Sequence, residues 1–224
     1  MPTETEILSR IKTCGVIAVL TIDEVRHAVP LARALWAGGV GVMELTLRTP
    51  AALGALRAIV TEMPDMLAGV GTILTPQQVA EAARAGAAFG VAPGLNPRVV
   101  AAAREAGLYF APGVATPSDV EHAVELGCKV LKFFPAEPMG GLAYLKSMAA
   151  PYAHLGLKFI PLGGLTAANM KGYLQDPLML AVGGSWLAPA EKVRREDWGS
   201  ITRAAQEAAA AVKATRAAIG RTGA

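Results

Sequence analysis

Cysteine is nearly absent from this chain, with only Cys14 and Cys128 in 224 residues. They lie far apart, each in or beside an apolar run. This excludes a disulfide framework and gives no metal-ligand spacing, so both are read as buried thiols of a reducing compartment. Charge is also scarce, at 17% of residues, against a usual ~25%. With 53% hydrophobic residues, the composition excludes disorder and an extended shape. Long apolar runs are missing as well. The longest stretch free of charge, residues 66–80, contains Gly69, Gly71 and Pro76 and falls short of the ~20 apolar residues of a membrane span. The first residues, Met1-Pro2-Thr3-Glu4-Thr5-Glu6, are acidic and lack an apolar segment, so no secretory signal is expected. The expected location is the cytoplasm, with no membrane partner.

Further absences narrow the chemistry. His27, His122 and His154 are isolated from one another, and none ends an expected strand; all three are read as surface or helix histidines, and no metal is expected. No Ser-His-Asp order, Walker motif or dinucleotide fingerprint occurs, which removes the residues for acyl transfer, ATP use and hydride transfer. Aromatics make up 5% and do not alternate with Lys and Arg, so nucleic acid is not an expected partner. The net charge of +3 suits a small anionic ligand, and the basic piece 213–221 reads as a solvated helix end.

What the chain does have is alternation. Short β-branched runs and Ala-rich stretches follow each other eight times, which predicts strands at 16–20, 42–47, 67–72, 88–92, 108–111, 129–134, 158–162 and 179–182. Helix starts are expected at Asp23, Thr49-Pro50, Thr75-Pro76, Asn96-Pro97, Thr116-Pro117 and Thr166. An additional helix over 4–13 precedes the first strand, and one over 201–214 closes the chain. Eight βα units without a linker predict an α/β fold, a single-domain (β/α)8 TIM barrel over 1–224 with an extra N-terminal helix. The rival fold is a doubly wound sheet, but Leu20-Thr21-Ile22-Asp23 lacks the Gly-rich turn that such a sheet uses.

In a barrel, chemistry sits at the C-terminal ends of the strands. The two-residue period of the second strand sends Val42, Glu44, Thr46 and Arg48 to one face and Met43, Leu45 and Leu47 to the other. A carboxylate, a hydroxyl and a guanidinium thus enter the lumen, either as a catalytic set or as a structural Glu44–Arg48 pair. In Lys129-Val130-Leu131-Lys132-Phe133-Phe134, odd spacing lets only one lysine face inward. Lys129 can reach water, so Lys132 is the buried one. A free lysine amine has a pKa near 10.4, leaving about one in 2,500 neutral at pH 7, and burial raises that fraction. Lys132 is therefore read as a Schiff-base nucleophile, the alternative being a structural ion pair with Glu44. Two Gly-Gly loops, Pro161-Leu162-Gly163-Gly164 and Val182-Gly183-Gly184-Ser185, follow the last two strands, where barrels often bind phosphate through backbone amides and helix N-termini.

Glu44-Leu45-Thr46-Leu47-Arg48-Thr49, Gly69-Val70-Gly71-Thr72, Pro93-Gly94-Leu95, Leu131-Lys132-Phe133-Phe134-Pro135-Ala136-Glu137 and Gly183-Gly184-Ser185-Trp186-Leu187 together resemble the 2-keto-3-deoxy-6-phosphogluconate (KDPG) and 4-hydroxy-2-oxoglutarate (KHG) aldolase family, over almost the whole chain. The resemblance implies a class I aldolase on a (β/α)8 barrel, usually a homotrimer of the Entner-Doudoroff route, working without metal or cofactor through an imine on Lys132. By the same resemblance Glu44 is the acid/base residue, Arg48 and Thr72 hold the pyruvyl carboxylate, and Pro93 and Phe134 wall the pocket. Gly163, Gly164, Gly184 and Ser185 match the phosphate site of a phosphorylated 2-keto acid. Two departures concern the substrate. Leu162 stands where the family usually has threonine, and Leu20-Thr21 where several relatives carry a basic residue. Preference for KHG or for the galactonate epimer of KDPG therefore stays open. So do a sugar-phosphate isomerase, in which Lys132 is a charge partner only, and a silent assembly barrel.

Overall fold

Three of the expected helix starts use the chemistry suggested by their residue types. In the computed structural model, which describes residues 2–222, Thr75 and Thr116 close capping boxes with Gln78 and Asp119, Asn96 accepts from the Arg98 amide, and a proline follows each cap. These bonds satisfy amides that a first turn leaves without partners. The other three starts differ: two side chains find tertiary partners, and at the third the cap is replaced by a side chain three residues on. Asp23 pairs with Arg194 at 3.2 Å, the Thr49 hydroxyl donates to the Ile22 carbonyl, and the Thr166 amide donates to Asn169 Oδ1 at 2.8 Å. Met1, Gly223 and Ala224 of the expected 1–224 unit lie outside the described residues, as does the side chain of Arg221.

The order is α1 (Glu4–Cys14), β1 (Val16–Leu20), α2 (Ala28–Ala37), β2 (Val42–Thr46), α3 (Ala52–Glu62), β3 (Leu67–Gly71), α4 (Pro76–Arg84), β4 (Phe89–Val91) and α5 (Pro97–Glu105). It continues with β5 (Tyr109–Ala111), β6 (Gly113–Val114), α6 (Pro117–Glu125), β7 (Val130–Phe133), α7 (Gly141–Ala149), β8 (Lys158–Pro161), α8 (Met170–Leu174), β9 (Val182–Gly184), α9 (Ala190–Arg194) and α10 (Trp198–Thr222). All strand pairs are parallel, in the orders β5-β4-β3-β2-β1-β9 and β6-β7-β8. The result is a curled α/β sheet flanked by helices.

Two strands depart from expectation. The fifth is split at Pro112, which has no amide to give; the Pro112 carbonyl instead accepts from the Lys132 amide at 2.9 Å. The last strand falls at Val182–Gly184 rather than 179–182, and Met179 makes only an isolated bridge to Phe159. Its glycines read as a turn, yet they extend the strand because neighbouring side chains fill their Cβ positions. A Cβ on Gly183 would lie 2.9 Å from Leu162 Cγ, and one on Gly184 would lie 2.1 Å from the Trp186 ring.

Strand alternation separates two apolar layers. Met43, Leu45, Leu131 and Phe133 pack with the helices, whereas Ile17, Val42, Leu67, Phe89, Val130 and Ile160 fill the inside of the curl. Helix α1 belongs to the inner layer through Ile7 and Ile11. It starts with a Thr3–Glu6 capping box and ends at Gly15, whose φ of 71° is the left-handed cap conformation. Arg10 donates to the Asp65 carbonyl just before β3, and Glu4 lies beside Tyr109 and Lys129 near the starts of β5 and β7. The helix therefore lies across the end where the strands begin. Of the expected surface or helix histidines, His27 is a helix one, in the 3-10 turn Val25–His27, and it is buried with Nε2 3.3 Å from the Glu196 carboxylate. Cys14 and Cys128 are free and half-buried.

If α1 is part of the inner core, Ile11→Ala, at a position only 1% exposed, will cost about 2–5 kcal/mol in urea unfolding. Exposed Ser9→Ala, one turn face away, will stay within about 0.5 kcal/mol. Equal small values for both would remove α1 from the core.

Candidate active site

The inward parity of β2 and β7 brings Glu44 and Lys132 together. Both are buried, at 2% and 6% exposure, and Lys132 Nζ lies 3.1 Å from Glu44 Oε1 and 3.5 Å from Oε2. The amine also sits 5.7 Å from the centre of the Phe134 ring, within reach of a cation–π contact. Either charge alone would be costly at that depth; facing each other, they offset much of the desolvation. Gly71 on β3 makes the room. A Cβ there would lie 1.7 Å from Glu44 Oε1, so any other residue displaces the carboxylate.

The Glu44–Arg48 pair is not formed. Arg48 instead directs Nε to Thr46 Oγ1 at 3.1 Å and Nη2 to Thr21 Oγ1 at 2.9 Å. Thr46 in turn donates to the Leu20 carbonyl at 3.0 Å. The end of β1 thus fastens the guanidinium through the Thr21 hydroxyl. Thr72, just past β3, has φ 61°. This left-handed conformation is costly for a β-branched side chain, by about 1–3 kcal/mol, and such strain concentrates at functional sites.

After β8, Gly163 and Gly164 have φ 96° and 84°, again left-handed, and a Cβ on Gly164 would strike Glu137 Cβ at 2.6 Å. The carbonyls of Leu162 and Gly163 accept from the Ala136 and Glu137 amides at 2.7 and 3.0 Å, and the Gly164 carbonyl accepts from Asn169 Nδ2 at 3.1 Å. The amides of Gly163, Gly164 and Leu165 donate to no group among the described residues. Three adjacent free donors make an edge of the kind that can accept an anion. The next helix, α8, begins only at Met170 and has five residues, so the donors belong to the loop and not, as the sequence suggested, to a helix N-terminus.

These parts line one cavity of about 240 Å³ at the C-terminal ends of the strands. Lys132, Glu44, Arg48, Thr72, Pro93, Phe134, Leu162, Gly163, Gly164, Gly184 and Ser185 all border it, joined by Val19, Thr46 and Leu165. Thr46 was signalled by strand parity. Gly71 and Thr21 carried no signal of their own, because each acts through a neighbour brought in by folding. A larger groove of about 550 Å³, between α1, α2 and α10, opens at the other end of the strands beside Gly41 and Val42 and holds none of this chemistry.

A KDPG and KHG aldolase family model matches residues 7–204. The chain is 42% identical over 205 residues to the KHG/KDPG aldolase of Escherichia coli K12, covering 92% of this chain and 95% of that protein. It is 44% identical over 202 residues to the 2-dehydro-3-deoxy-phosphogluconate aldolase of Treponema pallidum, covering 90% and 94%. Among solved structures, the KDPG aldolase of Legionella pneumophila, captured with pyruvate as a covalent carbinolamine, superposes with a TM-score of 0.85 at 37% identity, covering 89% of this chain and 96% of that one. The Zymomonas mobilis KDPG aldolase with 3-phosphoglycerate gives 0.85 at 42% identity, covering 92% and 95%. With a family model spanning most of its length, and relatives of this identity along nearly the whole chain, the protein belongs to the KDPG and KHG aldolases, a family of carbon–carbon lyases.

Proposed function

We propose that this chain is a class I aldolase that cleaves 2-dehydro-3-deoxy-6-phosphogluconate to pyruvate and glyceraldehyde 3-phosphate through an imine on Lys132. One observation carries the reading: an amine and a carboxylate 3.1 Å apart, buried at the strand ends beside an open cavity. Transfer of the ammonium proton to Glu44 frees the Nζ lone pair, which attacks the C2 ketone. Glu44 returns that proton to the carbinolamine hydroxyl, which leaves as water and gives an iminium. Glu44 then takes the C4 hydroxyl proton, the C3–C4 bond breaks, and its electron pair passes into the iminium to give an enamine. The aldehyde leaves, Glu44 returns the proton to C3, and water hydrolyses the imine to release pyruvate. The iminium is the electron sink, so the scheme uses no metal or organic cofactor.

Arg48 and Thr72 hold the pyruvyl carboxylate, Pro93 and Phe134 wall the reacting carbons, and Gly163, Gly164, Gly184 and Ser185 take the phosphate of the 2-keto acid substrate. The finer architecture belongs to the same reading. A closed eight-stranded barrel follows if β5 and β6 count as one strand broken at Pro112, and if residues 178–184 serve as the eighth. The bonds from the Phe159 amide to the Leu178 carbonyl and from the Leu180 amide to the Phe159 carbonyl, 2.8 and 2.9 Å, support that count. A single unit over 1–224 with α1 as its extra helix, a homotrimer, a place in the Entner-Doudoroff route, and a cytoplasmic location rest on the family resemblance. No helix among the described residues is long and apolar enough to cross a membrane.

Leu162 supports a second reading of the substrate. Its side chain is buried in the inner layer against Gly183 and borders the cavity beside the free amides. An apolar wall separates close analogues by only about 10- to 200-fold, so preference between the gluconate and galactonate phosphates will be loose, and KHG will also be accepted.

Three outcomes test the scheme. Borohydride with pyruvate will leave a stable adduct on Lys132 in peptide mass maps; an adduct on Lys129, or none, would sink the Schiff-base reading in favour of an isomerase. Glu44→Gln will lower kcat by about 10²-fold or more while imine trapping persists; unchanged turnover would return Glu44 to a structural role. Leu162→Thr will widen the kcat/KM difference between the two epimers by about 1–2 kcal/mol, one restored hydrogen bond. If the native chain already discriminates as sharply, Leu162 is only a packing residue.

A further inference from the structure

In a trans peptide the carbonyl of one residue and the amide of the next point in opposite directions within one plane. Fixing a carbonyl therefore aims the following amide. In the loop after β8, the Ala136 amide holds the Leu162 carbonyl and so aims Gly163 N–H, while the Glu137 amide holds the Gly163 carbonyl and so aims Gly164 N–H. The third plane is held by a side chain. Asn169 Nδ2 holds the Gly164 carbonyl at 3.1 Å and so aims Leu165 N–H, while its Oδ1 accepts from the Thr166 amide at 2.8 Å. One carboxamide thus clamps both sides of Leu165.

Glu137 is fixed in its turn. Its carboxylate accepts the Tyr173 hydroxyl, and its Cβ and Cγ fill the space that a side chain on Gly164 would need. Burial and the Glu137 carboxylate together push the Tyr173 phenol above its ordinary range, so it stays a donor throughout the neutral pH range. Neither Asn169, Glu137 nor Tyr173 borders the cavity.

We propose that Asn169 and Tyr173 are positioning residues for phosphate recognition: Asn169 aims the Leu165 amide, and Tyr173, through Glu137, aims the Gly164 amide. This rests on reading the loop as the phosphate site. Their effect falls on substrates that carry a phosphate and spares the imine chemistry at Lys132.

The test compares the phosphorylated substrate with unphosphorylated 4-hydroxy-2-oxoglutarate, with inorganic phosphate as a competing probe. In Asn169→Ala the KM for the phosphorylated substrate will rise about tenfold, one hydrogen bond's worth. Its kcat, and the rate of borohydride trapping with pyruvate, will change less than about twofold. Tyr173→Phe, which keeps the ring volume, will move KM in the same direction. If Asn169→Ala does not fold, Asn169→Asp replaces it, because it keeps the acceptor for Thr166 and loses the donor to Gly164. A native enzyme that inorganic phosphate does not inhibit, and that handles both substrates alike, overturns the phosphate loop and this inference with it. If the native enzyme responds to phosphate and both variants keep its KM, only the inference falls. Equal losses on both substrates would mark a general structural role and likewise overturn it.

Discussion

Two opposite charges removed from water set the terms for everything around them. Lys132 and Glu44 are tolerable at their depth only in each other's company, and that company requires a strand without side chains beside them. β3 meets this need with glycines two residues apart. Gly71 yields its volume to the Glu44 carboxylate, and Gly69, one layer down, yields its own to the Phe89 ring. The same alternation thus makes an ionic layer above an aromatic one. Because the ion pair has no net charge, the cationic character of the cavity comes from Arg48, held by hydroxyls rather than by a carboxylate.

Where a feature depended on local periodicity, the sequence made it legible. The inward set on β2, the choice of Lys132 over Lys129, and the caps at Thr75, Asn96 and Thr116 all follow from spacing or from a side chain three residues away. Features set by partners distant in the chain were not legible. Thr49 and Asp23 look like caps until Ile22 and Arg194 come within reach, and Gly183 looks like a turn until Leu162 packs over it. Gly71 is the clearest case, since its importance lies wholly in a carboxylate leaning across from the neighbouring strand.

The cavity divides its work between two kinds of group. On the proposed reading, side chains on strand interiors supply the acid/base group and the nucleophile, where packing fixes their rotamers. Backbone amides in the loops would supply the anion contacts, in planes held by neighbouring groups. Thr72 stands at the boundary, a side chain whose backbone is itself held in a strained conformation.

Helix α1 lies across the ends where the strands begin and buries Ile7 and Ile11 in the inner layer, while the cavity opens at the opposite, C-terminal ends. On the proposed reading, a phosphate held by the loop amides would share one cavity with an imine on the buried Lys132 amine. The far end is stoppered by apolar side chains, away from the groups that carry the proposed chemistry.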